Sequence, residues 1–282
     1  MSNYLRRSAS VPAEQGCDPL AEGLSGQPFP HFDTQQLESA RALALEIGAI
    51  IASDTDIAVS IASGLTTLEQ AFQTLAVAVD LDTPATILAS HQIVDAVELV
   101  GLEDWLTVLR TSHMDTCQHC MAVAGVAAWF GLKAGLVRED TVRLTLAAML
   151  HDIGKAVVPL SILNKPGPLT PEELIIVRRH PHDGYEHLKV HSEVEPPVMF
   201  TVRDHHEMLD GSGYPDQLRG AAIDDITRIV TICDVYAAVV ERRSYKPARP
   251  RSEGFRVLNE MVEAGKLDAD LVAEFTTIMM PA

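Results

Sequence analysis

Apolar positions recur along this chain at helical rather than strand spacing. Leu43, Ile47, Ile50 and Ile51 share one helical face from Gln36 onward, and Leu68, Phe72, Leu75 and Val79 share another after the start signal Thr66-Thr67. A third helix is expected from Pro84 past Val94 and Val97, a fourth from near Ser112 to about Phe130, and a fifth over about 139–150 after a break at Gly131. The run 159–169, with three prolines and a glycine, reads as a rigid surface connector. Thr170-Pro171-Glu172-Glu173 then offers an N-cap, a proline at the first helical position and a glutamate completing a capping box. That helix is expected to deliver His180. Another opens at Glu195-Pro196-Pro197 and ends at His205-His206-Glu207, a loop follows over 210–215, and a further helix spans about 228–240. Period-two alternation is almost missing, so the pattern predicts an all-α protein.

Changes in texture divide the chain. Residues 1–33 mix Pro, Gly, Ser and Gln with little periodicity and read as a mobile leader. Residues 34–108 read as a helical N-terminal domain with no cluster of chemically useful side chains; dimerisation or sensing is its expected kind of role, and it lacks the aspartate cluster and βα alternation of a phosphoacceptor receiver. His91 stands alone there and reads as an ordinary helical histidine. The remaining 109–282 carry the chemistry.

Composition narrows the partners. In 282 residues the formal net charge is −17, with no basic stripe, which speaks against a nucleic acid polymer as ligand. An anionic small substrate would need local positive charge, which metals can supply. The four cysteines are too scattered for a disulfide framework and imply a reducing compartment. Arg6-Arg7 precedes no apolar segment of the kind an export signal needs, and the apolar run 121–137 is broken by Lys133 and falls short of the ~20 residues of a membrane span. The expectation is a cytoplasmic protein with no membrane association.

The candidate chemistry begins at Leu150-His151-Asp152-Ile153-Gly154-Lys155, where an apolar helix ends in an imidazole, a carboxylate, a glycine and an ammonium. Neighbouring His and Asp can hold metals, and a carboxylate has two oxygens with which to bridge two cations. Alone, the run reads equally well as a helix C-cap at Gly154 with Lys155 answering the dipole. Four further features shift the balance: Asp115 and His119, four apart on one face; His180; the pair His205-His206; and Asp234, set among Ile229, Val230, Ile232 and Val235, where an unpaired carboxylate is costly. Imidazoles with carboxylates suit first-row transition metals such as Fe, Mn or Zn better than Mg or Ca. Cys117-Gln118-His119-Cys120 has CxxC spacing, but a zinc ribbon needs a second pair, so buried helical cysteines are the better reading.

Taken with the loop Ile162-Leu163-Asn164-Lys165-Pro166-Gly167, the run His180-Pro181 with Gly184 and Leu188, Asp210-Gly211-Ser212-Gly213-Tyr214-Pro215, and Arg243-Ser244-Tyr245-Lys246, the chain resembles the HD-GYP family of HD-domain metal phosphohydrolases over roughly 113–266. The resemblance implies an HD-domain helical bundle behind the N-terminal lead-in. It implies that His119, His151, Asp152, His180, His205 and Asp234 hold two divalent transition metals, Fe or Mn, with Asp152 bridging. A third ion in some members is held by an acidic residue one turn before the first histidine and by the second histidine of the pair, here Asp115 and His206; Asp115 is one methylene shorter than the glutamate of those members, so the count is two or three. Lys155, Arg243 and Lys246 resemble phosphate contacts, and Gly213, Tyr214 and Pro215 a substrate wall.

The implied reaction is hydrolysis of cyclic di-GMP to pGpG, with GMP as the product of a second cut, by a metal-bridging hydroxide, Asp152 and Lys155 being the catalytic residues. A homodimer, through the N-terminal helices, and a signalling protein docked on the GYP loop are further expected partners. One departure stands out: Ala237 occupies a position where relatives often place a substrate-contacting aspartate. It motivates one alternative, an HD-class phosphohydrolase for another nucleotide or cyclic dinucleotide; a second, of a different class, is a non-catalytic cyclic-dinucleotide-responsive interaction module.

Overall fold

In the computed structural model, residues 55–109, 115–240 and 250–280 are described, and they form helices. In chain order these are α1 (Thr55–Ala76), α2 (Thr83–Val100), α3 (Leu102–Leu109), α4 (Asp115–Ala134) and α5 (Arg138–Leu150), then a 3-10 turn (Ile153–Val157). There follow α6 (Leu160–Leu163), α7 (Pro171–Arg178), α8 (His180–His191), α9 (Pro196–Asp204), α10 (Asp225–Val240), α11 (Arg251–Glu263) and α12 (Ala269–Met279). Among the described residues the extended pairing is an isolated bridge between Asp210 and Arg219. No single helix there is long and apolar enough to cross a membrane. The expected leader and the helix around Leu43 lie outside the described residues.

The core is centred on α4 and α5. Both are buried almost all round, α4 through Cys120–Ala128 side chains such as Met121, Val123 and Val126, and α5 through Leu144, Leu146, Met149 and Leu150, as expected of helices enclosed by neighbours. Around them pack α2 with Ile93, Val94 and Val97, α10 with Ile229, Val230 and Tyr236, and α12 with Phe275. Phe275 stacks on Phe130 of α4. One hydrophobic cluster therefore runs from Ile61 to Met279.

Several boundaries differ from the sequence pattern. Thr66 starts no helix: α1 passes through it, with its hydroxyl donating back to the Ala62 carbonyl at 2.8 Å, an arrangement open to Thr inside helices. Val79 lies beyond the end of α1 and is exposed. α4 does not stop at Gly131 but continues to Ala134, with Gly131 under the Thr141 side chain of α5. α3 escaped the pattern altogether; its Trp105 is fully buried and donates to the Met121 carbonyl at 3.3 Å. The connector 159–169 includes the single turn α6. The capping box at Thr170 is present as expected, Thr170 Oγ1 accepting from Glu173 N and Glu173 Oε2 from Thr170 N. That helix ends at Arg178, and His180 opens a new one with Pro181 in its first turn, since a proline restricts the residue before it and supplies no N–H.

Candidate metal centre

Three histidines stand at helix ends, and each is held in the same way. His151 Nδ1 donates to the Ala148 carbonyl at 2.7 Å, His180 Nδ1 to Val177 at 2.7 Å and His205 Nδ1 to Val202 at 2.9 Å. A carbonyl only accepts, so the proton sits on Nδ1 and the Nε2 lone pair points away from the backbone. All three Nε2 atoms converge on one carboxylate. His180 Nε2 lies 3.1 Å and His205 Nε2 3.7 Å from Asp152 Oδ1, while His151 Nε2 lies 3.3 Å from Asp152 Oδ2. On the far side His119 Nε2 meets Asp234 Oδ1 at 2.9 Å, and Asp234 Oδ1 is 4.0 Å from His151 Nε2.

These atoms fall into two sets with metal-ligand spacing: Asp152, His180, His205 and His206 in one, His119, His151 and Asp152 in the other, each within 4.8 Å. Asp152 belongs to both. Buried at its centre, His151 Nε2 and Asp152 Oδ1 have no hydrogen-bond partner, a state that costs free energy in a protein interior unless something else meets those lone pairs. A pair of divalent cations would do so, and the donor set of imidazoles and carboxylates fits them.

The electrostatics follow from the same crowding. Burial works to raise the Asp152 carboxyl, but the Lys155 ammonium and the His151 ring beside it hold it well below the usual carboxylate range. Burial likewise opposes the charge on Lys155, yet Asp152, whose Oδ2 accepts from Nζ at 2.5 Å, keeps the ammonium above the ordinary lysine value. Asp234, also buried, is held down by its hydrogen bond from His119. Burial lowers His205 to about 4 and His206 well below its usual value. Neutral imidazoles and ionised carboxylates are the protonation states that ligate metals.

Two glycines decide whether the parts can meet. A Cβ on Gly154 would lie 1.9 Å from the His180 carbonyl oxygen and 2.7 Å from Gly184 N, so the residue is there for a backbone crossing and not as a C-cap. A Cβ on Gly213 would lie 2.5 Å from Glu207 Cα and from the His206 carbonyl. The loop is clasped there: Tyr214 N donates to the His206 carbonyl at 3.2 Å, and the Glu207 carboxylate accepts from Asp216 N at 2.5 Å and Leu218 N at 3.0 Å. The clasp brings the Tyr214 ring to 4.8 Å from that of His206.

Thus the structure gathers His119, His151, Asp152, Lys155, His180, His205, His206, Asp234 and the Gly213, Tyr214, Pro215 loop. Asp115 opens α4 one turn before His119, and its side chain lies outside the described residues, as do Arg243 and Lys246. Cys117 and Cys120 take no part; both are buried and free, and burial pushes the Cys117 thiol up to about 12. Sequence reasoning missed Glu207 as the clasp, although it stands in the His-His-Glu run, and Thr231, whose hydroxyl donates to the His205 carbonyl at 2.9 Å. A third group, Asp204, Glu207 and Asp216, lies behind the His205-His206 turn; its carboxylates are engaged in part by backbone N–H groups and by Arg203, 2.5 Å from Asp216.

Residues 102–271 match the model of the HD domain family. The chain is 40% identical over 159 residues to a cyclic di-GMP phosphodiesterase of Pseudomonas aeruginosa, an alignment covering 55% of this chain and 37% of that one. It is 43% identical over 164 residues to a cyclic di-GMP phosphodiesterase response regulator of Xanthomonas campestris, covering 57% and 43%. To a 3'3'-cGAMP-specific phosphodiesterase of Vibrio cholerae it is 36% identical over 164 residues, covering 58% and 38%. The match thus spans about two fifths of the length of each of these relatives. Among solved structures, an HDG"Y"P protein from Bdellovibrio bacteriovorus superposes with a TM-score of 0.65 at 18% identity, over 87% of this chain and 77% of that one, and shares its fold.

Proposed function

The chain belongs to the HD domain family, in its HD-GYP group, and from that premise we propose that it is a metal-dependent phosphodiesterase acting on cyclic dinucleotides, with cyclic di-GMP as substrate and pGpG as first product. The observation that carries the reading is the shared carboxylate: Asp152 stands in both ligand sets, with one of its oxygens and one histidine nitrogen buried and unpartnered. His180, His205 and His206 would hold one ion and His119, His151 and Asp234 the other, iron or manganese suiting this donor set. Such ions, when bound, supply Lewis acidity toward a phosphoryl oxygen and lower the pKa of a water.

The rest falls to the chain itself. The backbone carbonyls of Ala148, Val177 and Val202 fix the imidazole tautomers and ring directions, so ligand geometry is set before anything binds. Lys155 keeps a positive charge beside Asp152, where a phosphate oxygen would develop negative charge. Tyr214, clasped through Glu207, closes the site on the His206 side. Similarity to 3'3'-cGAMP-specific enzymes supports a second reading of the same chemistry, hydrolysis of 3'3'-cGAMP.

The test is substitution of the shared ligand. Asp152→Ala is expected to lose bound metal and to lower turnover of cyclic di-GMP by at least about 1000-fold, as removal of a centre that acts as a unit does. Metal content and rate like those of the unsubstituted protein would defeat the assignment, and comparing cyclic di-GMP with 3'3'-cGAMP decides between the two substrates.

A further inference from the structure

We propose that Arg178 binds the second phosphate of the cyclic dinucleotide, the one that is not at the His/Asp centre; this rests on the cyclic-dinucleotide reading above. Three planar groups lead outward from the centre. The His206 ring lies 5.2 Å from that of His180, Tyr214 lies 4.8 Å from His206, and the Arg178 guanidinium lies 5.1 Å over the Tyr214 ring. The last member is exposed, so the row ends in a cation at the solvent side of the site wall.

What sets Arg178 apart is that no carboxylate among the described residues pairs with it. Its neighbours in sequence and space are matched: Arg179 with Asp183 at 3.5 Å, Lys165 with Glu173 at 2.5 Å, Arg203 with Asp216 at 2.5 Å. Even Lys155 is held on Asp152. In a chain of formal charge −17, an unmatched guanidinium beside a cation-binding centre is where an anion gains most. Its cation–π contact with Tyr214 positions the guanidinium, whose N–H groups can make a bidentate contact to phosphate oxygens.

Its place is fixed from below. Arg178 is in the last turn of α7, whose start is pinned by the Thr170 capping box, and Tyr214 is fixed by the Glu207 clasp. A cyclic dinucleotide carries two phosphodiesters on one ring. With one of them at the metals, the other reaches the wall where Arg178 stands over Tyr214, and Arg243 and Lys246, phosphate contacts by the family resemblance, lie outside the described residues and would share the two anions with it. A bland role as a cation complementing the end of α7 would touch stability and leave substrate affinity alone.

The experiment is steady-state kinetics of the metal-loaded full chain with Arg178→Met and Arg178→Lys. Cyclic di-GMP and 3'3'-cGAMP serve as two-phosphate substrates, and bis(p-nitrophenyl) phosphate as a probe with a single phosphodiester. Arg178→Met is expected to raise KM for both dinucleotides by about tenfold or more with kcat changed by less than about threefold, the size of a lost charge-assisted contact. The single-phosphate probe should change by less than about twofold, and Arg178→Lys should fall between, keeping charge without the planar fork. Unchanged KM for the dinucleotides overturns the proposal, as does an equal loss on the probe. A loss confined to cyclic di-GMP assigns Arg178 to a base and overturns it too. A wild-type chain that cleaves the probe but neither dinucleotide sinks the substrate reading itself, and this proposal with it.

Discussion

Asp204 is the residue whose cost in the folded state is most open to measurement. Burial pushes its carboxyl up to about 7, Arg203 offsets part of that, and Asp216, Glu207 and Asp224 add to it; its Oδ1 is buried without a hydrogen-bond partner. Since an ordinary aspartate titrates near 3.8, between about pH 4 and 7 the native state keeps a proton that the unfolded chain has released. Stability therefore falls as pH rises through that window. Asp204→Asn, isosteric and uncharged, should remove this slope and raise stability at pH 8 by roughly 1–2 kcal/mol, with little change at pH 4. Urea midpoints of both proteins at pH 4, 6 and 8 measure it, and a gap that shrinks with rising pH would contradict the argument. At this scale the sequence showed most of the side chains that the structure gathers around Asp152, because His and Asp at the ends of apolar helices are chemically conspicuous. It did not show Glu207 or Arg178, whose roles consist of reaching Asp216, Leu218 and Tyr214, residues brought near only by the loop.

At the scale of elements, α10 explains why Ala237 departs from the pattern of the family it resembles. Asp234 faces His119, and one turn on Ala237 is buried against a small apolar hollow lined also by Leu106, Leu109, Gln118, Ala122, Val126 and Val240. The Gln118 amide there is already engaged, donating to the Leu109 carbonyl at 3.0 Å. A carboxylate at 237 would find among these residues only the second N–H of the Gln118 amide as a donor and would lie a turn from another carboxylate. Ala237→Asp is expected to destabilise the fold by roughly 2–4 kcal/mol and to gain no affinity for guanine-containing substrate. Thermal unfolding together with KM for cyclic di-GMP checks both, and a stable variant with lower KM would mean that this face of α10 meets substrate after all. The apolar side of α10 was legible from its periodicity. The short helix α3 was not, since eight residues give too little pattern; what fixes it is tertiary, Trp105 lying against Gly125 of α4. The false start at Thr66-Thr67 and the false stop at Gly131 have the same origin: threonine and glycine mark helix ends locally, whereas here a back-bonded hydroxyl and a close helix crossing keep them inside.

Over the whole molecule, the lead-in helices and the helices of the candidate metal centre are tied at the end of α8 and through the core. Leu81 N donates to the His191 carbonyl at 2.7 Å, Glu193 N to Thr83 Oγ1 at 3.1 Å, and Arg138 pairs with Asp95 at 2.5 Å. Leu68, Ile93, Val94, Val97 and Trp105 are fully buried in the same cluster as Met121 and Met149. Each large apolar side chain contributes about 1.5–3 kcal/mol when removed from water. Losing these five would forfeit on the order of 10 kcal/mol, comparable to the ~5–15 kcal/mol that holds a typical protein folded. The prediction is that residues 109–282 produced alone do not form a stable monomer, although they contain the candidate metal ligands discussed above: they should aggregate or bind a hydrophobic dye, while the full chain unfolds with these helices in a single transition. The α8 contacts sharpen it, because His180, which begins that helix, meets Asp152 at 3.1 Å, so loosening the far end should lower metal retention before helicity is lost. A 109–282 fragment that is monomeric, retains its metal and unfolds at the same denaturant midpoint as the full chain would show that the lead-in helices contribute nothing to the stability of the site.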